Sequence, residues 1–283
     1  MTYVYYLNIK VFKPNLNKHL IFSLGEVFKM NQSVLKAIEV LNCFTKKKEL
    51  SIIELSKMTS IPKTTIFRLV SSLEKGGLLG KRKKSSHDVT YHLGFRILEL
   101  GKILMEQLDF RNIAIPHMKN LNQSLNELVH LVAIEGDMAV YVETIDSTKP
   151  LRLVVKVGKK APLYAGSAPK LLLAYMEDDA LSEYLETITL EKLTENTIDN
   201  IDDLKSELQN IRTKGYSISN AEHFPNTIGF SFPVYDHNSS VIASLGVSIP
   251  ETEYTESRQD EILNKVGETA KLISYDLGFK VNE

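Results

Sequence analysis

Apolar residues recur at Ile66, Leu69, Val70 and Leu73 within "IPKTTIFRLVSSLEKGG", residues 61–77. That i, i+3, i+4, i+7 spacing predicts a helix with one buried stripe. Lys63, Thr64, Phe67, Arg68 and Ser71 fall on the opposite side, so the helix carries a second face with an unusual content for a solvated surface. Upstream, "NQSVLKAIEVLNCF" places Val34, Leu35, Ile38, Leu41 and Cys43/Phe44 at helical spacing, with Asn31 or Ser33 as N-cap. "TKKKEL" breaks the pattern. "SIIELSKM" resumes it, with Ser51 and Glu54 in the S-x-x-E capping-box arrangement. A turn of about three residues, "TSI", separates this helix from the next, as between two crossed helices. Pro62 is expected in the first turn of the following helix, where its missing N–H costs little. Gly76-Gly77 ends that helix, and two short strands, Leu78–Lys81 and Val89–Leu93, flank a basic loop.

Helix, helix, turn, helix and hairpin follow one another in the order of a winged helix-turn-helix. In that arrangement the apolar stripe seats the third helix on its own core and the other face enters a DNA major groove. Residues 95–110, "FRILELGKILMEQLDF", form a helical pattern too apolar for a free tether, which predicts packing against a second chain or the neighbouring domain. From Arg111 onwards the character changes. A helix, "NIAIPHMKNLNQSLNEL", leads into the alternating segments "VHLVAIEG", "MAVYVETI" and "LRLVVKVG", read as strands. Helices are expected at "SAPKLLLAYM", "DDALSEYLETI" and "IDDLKSELQNIRTKG", with Gly215 closing the last. Strands recur at "YSISN", "IGFSFPVYD" and "VIASLGVSIP" before a final helix, "SRQDEILNKVGETAKLISYDLGF". Hairpins separated by helices, without βαβ alternation, indicate an α+β sensor-like domain.

Charge sharpens this division. The net charge is −1, yet residues 1–29 carry +3, residues 30–94 carry +7 and the remainder −11. A basic N-terminal module on an acidic body fits a polyanion partner for the module alone. At 283 residues and 43% hydrophobic, the chain has length and apolar content for two domains. Its one cysteine, Cys43, excludes a disulfide framework and any multi-cysteine metal site, and suits a reducing, cytoplasmic setting. No apolar run approaches the ~18 residues that span a bilayer. The first 29 residues mix aromatics and lysines without period and lack the features of a signal peptide. Met30 precedes the first clean helix, so translation is expected to begin there naturally, with residues 1–29 an appended or loosely ordered leader.

The seven histidines show no metal-ligand spacing, and neither a G-x-S-x-G elbow nor a phosphate-binding P-loop occurs. Neither cofactor nor metal is expected. Ser167 near Lys170 is the one pair that hints at an alternative, an acyl-transfer enzyme, and it lacks a general base oriented by a third group.

Two signatures in order, "SVLKAIEVLNCF" with "ELSKMTSIPKTTIFRLVSSLEKGGLL" and "YHLGFRILELG", then "VGKKAPLYAGSAPKLLLAYM" with "LQNIRTKGYSISNAEHFPNTIGFSFPVYDHNSSVIASLGVSIP", resemble the IclR family of bacterial transcriptional regulators. The resemblance runs from about Asn31 to the C-terminus. It implies an α+β protein: a winged helix-turn-helix over 30–94, a linker helix over 95–110, and a GAF/PAS-like effector-binding domain over 111–283 with a twisted antiparallel sheet flanked by helices. It implies a homodimer or homotetramer acting on a double-stranded DNA operator, controlling a catabolic or transport operon through a small-molecule effector. Ser56 and Ser60 stand where the family usually has Ala and Gly. Ala168-Pro169-Lys170 replaces a small-residue-Gly-Lys turn, and Ser219 and Gly229 occupy positions where some members have Asp and Cys, so the resemblance leaves the effector open.

The candidate DNA-binding residues are Ser51, Lys63, Thr64, Thr65, Phe67 and Arg68, with Lys81, Arg82, Lys83 and Lys84 of the wing. Arg68 suits a bidentate contact to guanine or a phosphate, Phe67 a thymine methyl, and the lysines and hydroxyls suit phosphates. For the effector, Gly166-Ser167-Ala168 opens an apolar helix, where free N–H groups and small side chains favour an anion, most simply a carboxylate. The resemblance adds Ser219, Gly229, Gly246 and Ser248 as the facing wall, making Ser167, Ala168, Ser219, Gly229, Gly246 and Ser248 the candidate effector-binding set.

Overall fold

Three short helices cross over one another at the start of a computed structural model that describes residues 31–83, 89–107 and 109–280. The expected leader and Lys84 of the wing lie outside those residues. Asn31 accepts hydrogen bonds from the N–H groups of Ser33 and Val34 and starts α1, Gln32–Cys43. α2 spans Ile52–Thr59 and begins in the expected capping box: Ser51 Oγ accepts from Glu54 N at 3.3 Å, and Ser51 N donates to Glu54 Oε2 at 2.8 Å. α3 spans Lys63–Lys75, with Pro62 one position earlier than expected, at the N-cap. Ile66, Val70 and Leu73 are buried and Leu69 is partly so. β1, Leu79–Lys83, and β2, Val89–Leu93, form the antiparallel wing. A third rung comes from Leu50, which exchanges both backbone hydrogen bonds with Tyr91.

The face of α1 agrees with expectation at Leu41, Cys43 and Phe44 and differs from it at the start of the helix. Val34, Leu35 and Ile38 are exposed, and the helix buries Val40, Cys43 and Phe44, with Ala37 and Leu41 partly covered. Residues 37, 40, 41 and 44 repeat the same i, i+3, i+4, i+7 spacing one step round the cylinder. The periodicity fixed the helix but left two candidate stripes, and tertiary packing selected the second.

The described residues fall into two compact units, divided between Ile103 and Leu104. α4, Phe95–Gln107, runs across that division, and its Phe95, Leu98, Leu100, Ile103 and Leu104 are exposed. The second unit is a six-stranded antiparallel sheet in the order β5-β4-β3-β8-β7-β6. Its strands are β3 Leu128–Glu135, β4 Met138–Ile145, β5 Lys160–Pro162, β6 Ser217–Asn220, β7 Thr227–Tyr235 and β8 Val241–Pro250. α5, Asp109–Leu125, and α9, Glu256–Asp276, cover one face, burying Val129, Leu131, Phe230, Leu245, Val247 and Ile249. α6, Ser167–Ala174, lies over the other face, and α8, Ile201–Lys214, packs on α6. α7, Asp178–Thr187, completes that layer. Gly215 ends α8 with φ +76, a conformation that L side chains rarely adopt.

"LRLVVKVG" is not a strand. Residues 151–157 carry no strand, and the residues that pair with the start of β4 are those of β5, Lys160–Pro162, which the sequence reading missed. Leu153, Val154 and Val155 line a cavity, Val154 while remaining largely exposed, and Leu151 and Val157 stay exposed.

Candidate functional site

The outer face of α3 carries the residues expected to read DNA. Lys63, Thr64, Phe67 and Arg68 are exposed, Phe67 at 56%, and Thr65 is partly covered. Phe67 is a large aromatic side chain left in water on a helix whose other side is sealed. Lys81, Arg82 and Lys83 are exposed on β1, and Arg82 pairs with Glu49 while Thr90 Oγ1 donates to the same carboxylate at 3.2 Å. Ser51 is part of the N-cap: its hydroxyl donates to Glu54 Oε2 at 2.8 Å. Its side chain therefore serves the helix first.

In the second unit, alternate residues of the sheet under α6 are small and polar: Ser219, Gly229, Ser231, Ser244, Gly246, Ser248 and His130. Cross-strand register brings them together, with Ser219 opposite Gly229, Gly229 opposite Ser248, Ser231 opposite Gly246 and His130 opposite Gly246. Two of these glycines are dictated by close approach. A Cβ on Gly229 would fall 2.5 Å from Ser167 Oγ, and one on Gly246 would strike the His130 ring and Ser231 Oγ. Ser231 Oγ donates to Ser167 Oγ at 2.9 Å, tying β7 to the start of α6.

A small, partly open chamber of about 30 Å³ lies between α6 and the sheet. Ser167, Ala168, Ser219, Gly229 and Ser248 line it as expected, joined by His130, Tyr141, Gly166, Glu222, His223, Phe224 and Thr227. Gly246 sits beneath the His130 ring instead of in the wall. A space of this size holds one or two water-sized groups, the scale of a carboxylate. A second cavity of about 270 Å³ shares Tyr141, Phe224, Thr227 and Ser248 with it and is otherwise walled by Leu128, Leu153, Val154, Val155 and Pro225.

The donors at the α6 N-terminus can be counted. Lys170 N–H already closes a bond to Gly166 O at 3.1 Å, and Pro169 has no N–H. Gly166 N–H donates to Glu222 Oε2 at 3.3 Å. The N–H groups of Ser167 and Ala168 precede the first helical bond and have no intrahelical acceptor. His130, 2% exposed, adds an unpartnered Nδ1, and its Nε2 lies 3.1 Å from Ser248 Oγ. Burial pushes its pKa down to about 4, so the ring is neutral at physiological pH. Burial likewise pushes Tyr141 up to about 12.

Lys170 closes the site from behind. It is 1% exposed, and its Nζ donates to Glu207 Oε1 at 2.7 Å, Glu222 Oε1 at 2.8 Å and the Ile218 carbonyl at 3.4 Å. All three ammonium protons are thereby committed, which leaves Lys170 no role as a general base for Ser167. The sequence reading missed His130, Glu222 and the ion-pair role of Lys170. One signal was present, a single lysine inside the apolar run of "SAPKLLLAYM", which implies a buried acidic partner. Among the described residues, no His/Cys/Asp/Glu cluster could hold a metal ion, and no helix is long and apolar enough to cross a membrane.

A helix-turn-helix with a wing, followed by a sheet-and-helix domain enclosing a small polar chamber, defines a DNA-binding transcriptional regulator with an effector-binding domain. Residues 33–83 match the family described as "IclR helix-turn-helix domain", and residues 103–275 match "Bacterial transcriptional regulator IclR C-terminal". The chain belongs to the IclR family. It is 32% identical over 249 residues to the HTH-type transcriptional regulator KipR of Bacillus subtilis, covering 88% of this chain and 98% of that one. The crystal structure of Thermotoga maritima IclR matches with a TM-score of 0.73 at 28% identity, over 87% of this chain and 99% of that one. An IclR homologue from Microbacterium hydrocarbonoxydans, complexed with 4-hydroxybenzoate, shares the fold with a TM-score of 0.74 at 22% identity, over 87% and 98% of the two chains. The relatives are regulators, not enzymes, and nothing among them supports an acyl-transfer activity.

Proposed function

We propose that this regulator, residing in the cytoplasm, answers a small organic acid and controls a catabolic or transport operon. Residues 30–94 bind operator DNA, 95–110 link, and 111–283 bind the effector. Lys63, Thr64, Thr65, Phe67 and Arg68 enter the major groove, and Lys81, Arg82, Lys83 and Lys84 follow the phosphates beside it. Ser51 joins them through a phosphate at the α2 N-terminus. Several such charges make binding steeply salt-dependent. A homodimer or homotetramer supplies two half-sites. The exposed apolar residues of α1 (Val34, Leu35 and Ile38) and of α4 (Phe95, Leu98, Ile103 and Leu104) support that assembly.

The observation that carries the effector reading is the chamber at the α6 N-terminus, where two N–H groups, Ser167, Ser219, Ser248 and neutral His130 converge around space for one small head group. The acid's carboxylate sits against Ser167 and Ala168, facing Gly229, with Gly246 keeping room for His130, and its body extends into the larger apolar cavity. Thermal-shift comparison of carboxylic acids with their amides tests this on the full chain. Acids should stabilise the wild type, amides should not, and Gly229→Ala should abolish the shift, since the added methyl meets Ser167 Oγ. Equal stabilisation by amides would overturn the anion cradle. For the DNA face, Arg68→Ala should weaken cognate duplex binding in a gel shift far more than random duplex binding. Equal losses would reduce Arg68 to a phosphate contact.

A further inference from the structure

The chamber that would receive an acid is already occupied by one. Glu222, 8% exposed, lines its wall and takes the Gly166 N–H, the first donor of the α6 N-terminus. The charge around it does not balance. Lys170 is the cation in contact, and it is shared between Glu222 and Glu207. The other titratable groups facing the chamber are His130 and Tyr141 from β3 and β4, and His223 next to Glu222. None of them is cationic at neutral pH, because burial holds both histidine pKa values down, aided at His223 by Lys159. A ligand carboxylate in so small a space would be the third anion around one ammonium ion, within a few ångströms of Glu222. Like charges so placed cannot all remain ionised.

Building on the reading of this chamber as the effector's acid site, we propose that Glu222 sets the charge of the ligands it admits: an acid enters together with one proton, which Glu222 holds, so singly charged carboxylate heads bind and dianionic phosphate-type heads are rejected. The proton comes from solvent and bonds to a Glu222 carboxylate oxygen. That O–H then donates to the ligand carboxylate, and the other Glu222 oxygen goes on accepting from Lys170. Glu222 is prepared for this, since burial raises its pKa even against the pull of Lys170. The ligand and Glu222 form a coupled pair, so the proton belongs to the pair and its uptake is the observable.

Isothermal titration of the full chain with benzoate and pyruvate, at pH 6 to 8 and in phosphate and Tris buffers, reads that uptake directly. The expected result is about one proton taken up per acid bound, with affinity falling towards tenfold per pH unit as pH rises. Phenylphosphonate, a benzoate counterpart that becomes a dianion over this range, should bind weakly at pH 6 and not at pH 8. Glu222→Gln keeps hydrogen-bonding groups for Lys170 and Gly166 and should bind benzoate or pyruvate without proton uptake or pH dependence. Binding of the acids to wild type without uptake, or uptake that persists in Glu222→Gln, would overturn the role of Glu222 and leave the acid site standing. If neither acid binds at millimolar concentration, the acid site and this inference fall together. If Glu222→Gln does not fold, the wild-type buffer comparison still decides whether a proton enters.

Discussion

Lys170→Met removes a buried ammonium and keeps most of the volume of its stem. In the native chain three acceptors, two of them carboxylates, use that ammonium. The substitution leaves Glu222 inside without its cation, while Glu207, about a quarter exposed, recovers some solvation. Breaking a buried ion pair by removing one partner costs about 3–5 kcal/mol, and the exposure of Glu207 argues for the lower end. At roughly 2–4 °C per kcal/mol in a domain of this size, the effector domain should melt about 6–15 °C lower. The stranded charge is the main cause, so Lys170→Met/Glu222→Gln should recover a substantial part of the loss. The sign of the pH dependence follows. Glu222, its folded pKa already above the usual carboxylate value through burial, rises further without Lys170. The folded state then binds the proton more tightly than the unfolded state, so the penalty shrinks as pH falls and grows as pH rises. Urea unfolding at pH 5 and pH 8 checks both points. A single-variant cost below about 1 kcal/mol, or a double variant no more stable than the single, would mean that the ammonium is solvated and the ion-pair argument wrong.

Two further outcomes concern separate parts of the molecule. His130 has a pKa near 4 when folded and about 6.5 when unfolded, so the unfolded state binds the extra proton between those values and stability falls as pH drops through that window. Between pH 7 and pH 4.5 this amounts to roughly 2–3 kcal/mol, and His130→Asn should lose that share of the acid destabilisation in urea titrations; an unchanged acid limb would refute it. Ser60 ends α2 with φ 57 and ψ 16, a left-handed conformation that disfavours a side chain, so Ser60→Gly should gain about 0.5–1 kcal/mol after the entropy cost of glycine, seen as a higher melting temperature; a decrease would show that the serine side chain stabilises the turn.

The helices and the long strands were legible because each carries a period and an end signal: Ser51 and Glu54 for α2, Gly77 after α3, Gly215 after α8. Failures arose where local pattern had two solutions. α1 offered two apolar stripes, and only its neighbours could choose Val40 over Val34. Residues 151–157 alternate as a strand does, but a strand is a relationship between two segments, and β4 pairs with Lys160–Pro162 instead. The candidate site was half legible for the same reason. Ser167 and Ala168 announce themselves as a small-residue helix start, whereas Glu222 lies 56 residues from Gly166 in the chain and nothing local links them. His130 sits in an apolar strand, "LVHLVAIE", where its chemistry depends on Ser248 and Gly246 across the ladder.

The sheet of the second unit has two unlike faces. Under α5 and α9 it presents Val129, Leu131, Phe230 and Val247; under α6 it presents serines, glycines and a histidine. Because neighbouring residues of a strand point to opposite sides, a substitution at Ser219 or Ser248 alters the chamber wall without touching the adjoining residue that packs against the helices. The architecture thereby separates two kinds of heredity. Small exchanges on one side reshape the chamber while the other side continues to specify how the chain folds, so on the proposed reading descendants of such a protein can learn new signals without surrendering their framework.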